Sequence, residues 1–117
     1  MRVATALPRN VPHPPHAVPA GALDRAPGGA RVTVAGLVLL RQRPGTAKGV
    51  IFVTLEDETG TVNVVVWKNV FERFRRAVIA GRLLRITGRI QREGGVTHLV
   101  AETVEDISDM LNDLLRA

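Results

Sequence analysis

The 117-residue chain contains no cysteine, which removes disulfides and thiolate metal sites and fits a reducing compartment. It has no apolar run long enough for a signal peptide or a membrane span, so it reads as a soluble, cytoplasmic protein with no membrane partner. Proline is nearly absent beyond residue 27, since six of the seven prolines fall in residues 1–27. Proline fixes φ and lacks an amide donor, so regular ladders belong to the later part of the chain. Histidine is scarce too, with His98 alone beyond residue 16. Acids are sparse in the body: residues 31–101 hold 12 Lys/Arg against Glu56, Asp57, Glu58, Glu72 and Glu93, a net charge of +7. Residues 102–117 reverse this, with five acids against Arg116. No thiol, no histidine–carboxylate constellation and no ligand cluster stands out, so neither catalysis, cofactor nor metal is expected. Glu56-Asp57-Glu58 reads as a solvated turn in which Asp57 makes a local Asx bond. A basic body points to an anionic ligand.

Residues 1–30 read as a proline-rich linker or mobile tail, densest at Val11-Pro12-His13-Pro14-Pro15-His16. His13 and His16 have metal-like spacing but no further ligands. From Val32 the pattern turns to period two. Strands are expected from Val32, over residues 50–56 and 61–67 around the turn Asp57-Glu58-Thr59-Gly60, and over 83–90 and 96–101 around Arg92-Glu93-Gly94-Gly95. Val32, Val34, Val38 and Leu40 are expected to face inward, with Gly36 permitting a sharp coil. Residues 69–80 read as one helix, with Asn69 as N-cap, Glu72 as its capping-box partner and Gly81 as the stop. Phe71, Phe74 and Val78 share its inner face, and Arg73 and Arg76 point away. Ile107, Met110, Leu111, Leu114 and Leu115 predict an acidic, amphipathic C-terminal helix over 106–117.

Strand-strand-strand-helix-strand-strand in about 75 residues is the layout of an OB-fold, an all-β, five-stranded Greek-key barrel whose strand 2–3 face binds oligonucleotides. The barrel is assigned to residues 31–105. Pairing Glu56 with Thr61 sets Thr54 opposite Asn63 and Phe52 opposite Val65. Ile51, Val53, Leu55, Val62, Val64 and Val66 then line the core, leaving Phe52, Thr54, Asn63 and Val65 on the outer face. An outward aromatic beside polar groups suits single-stranded nucleic acid, because every base has a π-face to stack and an amide can pair with a base edge. Arg41, Arg43 and Lys48 in the first connecting loop, with Arg89 and Arg92 near the last hairpin, are the candidate phosphate contacts. The alternative is a core Phe52 with merely solubilising cations, against which the inward neighbours Ile51 and Val53 argue. Trp67 reads as a rim cover.

Gly36, the run Phe52-Val53-Thr54-Leu55-Glu56-Asp57-Glu58-Thr59-Gly60 and Asn63-Val64-Val65-Val66 resemble the OB-fold family of anticodon-binding and related nucleic-acid-binding domains. More narrowly, Val34-Ala35-Gly36-Leu37-Val38, the stretch from Arg41 to Phe52, Val70-Phe71-Glu72-Arg73-Phe74 and the stretch from Gly88 to Gly94 resemble the C-terminal end of the error-prone, damage-inducible DnaE-type bacterial DNA polymerases. That resemblance implies a C-family enzyme of translesion synthesis and DNA repair, working with an inactive Y-family partner and the sliding clamp, whose catalytic aspartates lie in domains upstream of this segment. It implies a non-catalytic module that binds single-stranded DNA. A protein-interaction module of the polymerase assembly and a tRNA- or RNA-binding domain are the alternatives. Oligomeric state is not legible.

Overall fold

A computed structural model describes residues 17–43 and 49–111. Five strands, β1 (Arg31–Gln42), β2 (Ile51–Asp57), β3 (Gly60–Val66), β4 (Leu83–Glu93) and β5 (Val96–Asp106), close into a barrel in the order β1-β2-β3-β5-β4. The expected all-β, five-stranded OB-fold architecture is present. Every pairing is antiparallel except that of β3 with β5. β1 is long enough to serve two partners, pairing β4 through residues 31–37 and β2 through residues 37–42. Gly36 sits where that hand-over happens. A Cβ there would come within 2.8 Å of the Glu56 carbonyl oxygen, so the strands can approach only around a glycine.

The β2–β3 register follows the alternation of apolar residues: Phe52 pairs Val65, Thr54 pairs Asn63, and Glu56 pairs Thr61. Val53, Leu55, Val62, Val64 and Val66 are buried in the barrel core with Val34, Leu84, Ile86, Ile90, Leu99, Ala101 and Val104. Leu40 departs from expectation. A register shift between Val38 and Leu40 spends Leu39 on a bulge and sets Leu40 opposite outward Thr54, leaving it 48% exposed. The last hairpin turns on Gly94 and Gly95 alone, with φ of 57° and 81°, a left-handed pair that two glycines adopt without strain. Its strands run further than expected, β4 through Glu93 and β5 to Asp106.

From Ala17 the N-terminal segment is part of the fold, a correction to the linker or tail expected over residues 1–30; residues 1–16 lie outside the described residues. A 3-10 helix (Ala20–Arg25) buries Ala20 and Leu23 in the barrel core. It docks on the β2–β3 turn, where the Ala20 amide donates to Asp57 Oδ2 and the Gly21 amide to Thr59 Oγ1, each at 2.8 Å. Asp57 Oδ1 meanwhile accepts from the Thr59 amide at 2.8 Å, the local bond expected of that turn. Leu23 supplies the apolar anchor, and the turn satisfies amides that a first helical turn leaves unpaired.

The single helix expected over residues 69–80 is two short ones, α1 (Lys68–Arg73) and α2 (Arg75–Ala80), separated at Phe74 with φ −121° and ψ 29°. No glycine or proline marks that break, so local periodicity runs straight through it. Trp67, not Asn69, holds the N-cap position and makes no side-chain cap bond. β3 ends at Val66 and the chain turns at once, so Asn69 already lies inside the first turn and the capping box with Glu72 does not form. Gly81 does end the second helix, its amide donating to the Ala77 carbonyl at 2.9 Å. Val70, Phe71 and Val78 are buried in the core and Phe74 packs partly against it. Trp67 is half exposed. Beyond β5, Ile107 is buried against Leu83, with Ala35, Met110 and Leu111 packed around them. Leu114 and Leu115 lie outside the described residues.

Candidate nucleic-acid interface

Strand pairing sets the outer face of the barrel in two rows. One runs from Leu40 through Thr54, Asn63 and His98 to Gln91, the other from Gln42 through Phe52, Val65 and Val100 to Arg89. Period-two alternation turns these side chains out while Leu99, between His98 and Val100, is fully buried. Phe52, Thr54, Asn63 and Val65 are thus brought together as the sequence suggested. Phe52 is half-buried and stands outside the core cluster. Val65, although outward by parity, is only 7% exposed between its register neighbours Phe52 and Val100. The result is an apolar strip edged by an exposed amide and hydroxyl, with Thr54 Oγ1 3.5 Å from Asn63 Oδ1.

Sequence reasoning missed His98 and Gln91 as neighbours of that face. Their signal was topological. Once β5 is placed beside β3, His98 falls opposite Asn63, although 35 residues separate them in the chain. A half-buried imidazole next to an exposed amide adds a second donor–acceptor group for a base edge.

The candidate cations are divided among different tasks. Arg41 turns back to the end of α2, where its Nε donates to the Val78 carbonyl at 2.5 Å and its Nη2 to the Gly81 carbonyl. Those carbonyls lack helical partners, and a guanidinium satisfies both. Arg92 donates through one Nη2 to the carbonyls of Leu23 and Asp24, each at 2.9 Å, and so ties the 3-10 helix to β4. Arg89 shares the Glu102 carboxylate with Arg31, at 3.4 and 2.8 Å respectively, and also donates to the Gly29 carbonyl. Arg43 is exposed and lies over the Phe71 ring, with its Cζ 5.1 Å from the centroid. A hollow of about 170 Å³ beside it is lined by Arg41, Gln42, Arg43, Ile51, Val78 and Ile79. Lys48 lies outside the described residues.

Away from this face, Arg85 and Glu105 form a bidentate pair at 3.0 and 2.6 Å. The hydrogen bond from Arg85 holds the Glu105 carboxyl below its ordinary range, and the same bond raises Arg85. Among the described residues no group of three or more His, Asp or Glu is placed to hold a metal ion, and no helix is long and apolar enough to cross a membrane. The face can stack bases and hydrogen-bond their edges.

Comparison with known proteins agrees with this geometry. The OB-fold nucleic acid binding domain family matches residues 32–107. A curated error-prone DNA polymerase from Ruegeria pomeroyi is 66% identical over 84 residues, covering 72% of this chain and 8% of that protein. One from Caulobacter vibrioides is 57% identical over 97 residues, 83% of this chain and 9% of its own length. This chain therefore spans a small fraction of the polymerases it resembles. Among solved structures, asparaginyl-tRNA synthetase from Pyrococcus horikoshii, complexed with asparaginyl-adenylate, superposes with a TM-score of 0.68 at 29% identity, over 80% of this chain and 23% of that one. The Stn1–Ten1 complex of S. pombe shares the fold alone, with a TM-score of 0.59 at 20% identity over 74% of this chain and 63% of that one. Barrel order, outer face and family match converge: the chain belongs to the OB-fold nucleic acid binding domain family and is similar to a short segment of bacterial error-prone DNA polymerases.

Proposed function

We propose that this chain is a non-catalytic module that binds single-stranded DNA across the β2–β3–β5 face, in the setting of an error-prone polymerase. Phe52 carries the reading. It is an outward, half-buried aromatic in a row with Val65, flanked by Thr54 and Asn63, and a single stacked base contributes about 1–3 kcal/mol. Phe52 and Val65 supply the stacking floor, and Thr54, Asn63 and His98 meet base edges. The likeness to segments of error-prone polymerases favours DNA over RNA. Translesion synthesis in the bacterial cytoplasm, beside a sliding clamp and an inactive Y-family partner, is the setting that the same likeness suggests.

The test is titration of labelled 12-mers, deoxythymidine against uridine, over a salt series. Binding that weakens with salt and favours the DNA strand is expected. Absence of binding to either strand would remove the reading. A second reading, a protein-docking module of the polymerase assembly, draws on Leu37, Leu39 and Leu40, which are 42%, 54% and 48% exposed along one stretch of β1. It moves ahead if neither oligonucleotide binds.

A further inference from the structure

Two guanidinium groups converge on one ring at the end of the barrel next to Phe52. Arg43 follows β1 and holds its Cζ 5.1 Å from the Phe71 centroid, while Arg75, at the start of α2, holds its own 4.6 Å from the same centroid. The two charges therefore lie within the sum of those distances, less than 10 Å apart. Neither takes part in an ion pair among the described residues. The ring's negative faces attract each cation, but the two like charges still repel, and an anion held by both relieves that repulsion.

The surroundings strengthen the field. Arg73 lies over the Phe74 ring at 5.2 Å. Lys68 and Arg76 are exposed on the same two helices, where Glu72 is the single acid. The opposite end of the face is different, since Arg89 is engaged with Glu102 and Arg92 with backbone carbonyls. Uncommitted guanidinium charge is thus concentrated on one side of Phe52. Phe52 pairs Gln42, and Arg43 is the next residue. On the other side of β2, Ile51 pairs Val66, and α1 begins two residues later. With a strand rise of about 3.3 Å per residue, the pair of arginines starts one step beyond the Phe52 row.

We propose that Arg43 and Arg75 form a phosphodiester clamp that takes the backbone of the nucleic acid strand as it leaves the Phe52 face. The occupant follows from charge complementarity: guanidinium forks match phosphate oxygens in bidentate geometry, and the stacking face next to them orders a strand whose only charges are its phosphates. The inference rests on the reading of that face as a single-strand site and adds the direction in which the strand exits.

The test uses the full 117-residue chain with labelled oligodeoxythymidine, a tetramer short enough to sit on the face and a 12-mer long enough to leave it. For the 12-mer, Arg75→Gln and Arg43→Gln should each lower the slope of log affinity against log salt by about 0.7 per lost phosphate contact. The same slope change corresponds to roughly fivefold weaker binding at 0.1 M salt than the loss seen at 1 M. The tetramer should respond little to either change. Arg75→Lys should restore the slope that Arg75→Gln lowers, whereas a residue that merely covers the Phe71 ring would leave the slope unchanged in both variants. If both glutamine variants keep the wild-type slope while Phe52→Ala still weakens binding, the clamp is wrong and the face stands. If the wild type binds neither oligonucleotide, the face itself is wrong. Should Arg75→Gln unfold, 12-mers carrying one uncharged methylphosphonate linkage decide the matter on the wild-type chain. A loss concentrated at one or two linkages supports the clamp, and a flat response across all of them overturns it.

Discussion

Replacing Phe52 by alanine separates the proposed stacking from packing, because the ring would weigh differently in the two. Full burial of a phenylalanine is worth about 1.5–3 kcal/mol, but Phe52 is already half-buried and lies outside the core cluster. What the fold loses is mainly the cross-strand pair with Val65, and such aromatic–β-branched pairs contribute about 0.2–1 kcal/mol. A fall in Tm of no more than about 8 °C follows for a domain of this size. Binding loses the whole stacked base, about 1–3 kcal/mol, which is roughly a 5- to 150-fold weaker Kd. Fluorescence anisotropy with a labelled 12-mer reads the second number and thermal unfolding by circular dichroism reads the first. Phe52→Leu is the control, since it keeps apolar volume and removes the π-face; it should hold the Tm and still lose most of the affinity. The reasoning fails if Phe52→Ala lowers stability by 3 kcal/mol or more, the range of a core phenylalanine deletion, or if both variants bind as tightly as the wild type.

Three further outcomes are expected. Leu23→Ala should cost about 2–3 kcal/mol in urea unfolding, the lower part of the buried-leucine range, because a single-element site at the edge of the core can partly collapse; an unchanged midpoint would return the 3-10 helix to the status of a tail. Arg41→Met should destabilise the chain by about 1–2 kcal/mol by leaving the Val78 and Gly81 carbonyls to water, and the salt slope for DNA should not change; a shallower slope would make Arg41 a phosphate contact after all. The Glu105 carboxyl is held low in the folded chain, so its contribution is present above the ordinary carboxylate range and fades as pH falls through the lowered folded value. With its side chain 51% exposed that contribution stays below about 1 kcal/mol, and Glu105→Gln should flatten the acid limb of the stability profile by that much and no more.

Residues 51–66 were almost wholly legible from sequence, because a one-residue slip would carry Val53, Leu55, Val62 and Val64 from the core to solvent. The outer-face quartet of Phe52, Thr54, Asn63 and Val65 came with that register. What escaped was set by tertiary contact. Leu39 carries no mark of a bulge, which arises because β1 must leave β4 and join β2 within a few residues. The division at Phe74 lacks a breaker residue. Leu23 stands in a proline-rich segment without apolar periodicity, and its pocket is assembled from strands that follow it in the chain. The arginines were legible as charge but not as partners: Arg41 and Arg92 are turned towards carbonyls that exist only once the helices have docked.

Closure of the barrel limits how evolution can retune this surface. With β1 joined to both β2 and β4, and β3 to both β2 and β5, none of the five strands has a whole edge left open of the kind used by domains that bind by strand addition. One stretch that β2 leaves unpaired on β1 is bridged by the chain itself, where Ala17 meets Thr33. What docks on the outer face is met by side chains. Thr54, Asn63, His98 and Gln91 are exchangeable without breaking a ladder bond, whereas Gly88, whose Cβ would come within 2.1 Å of the Val100 carbonyl oxygen, is not. If the outer face binds as proposed, preference for one nucleotide over another can drift on a scaffold that stays fixed.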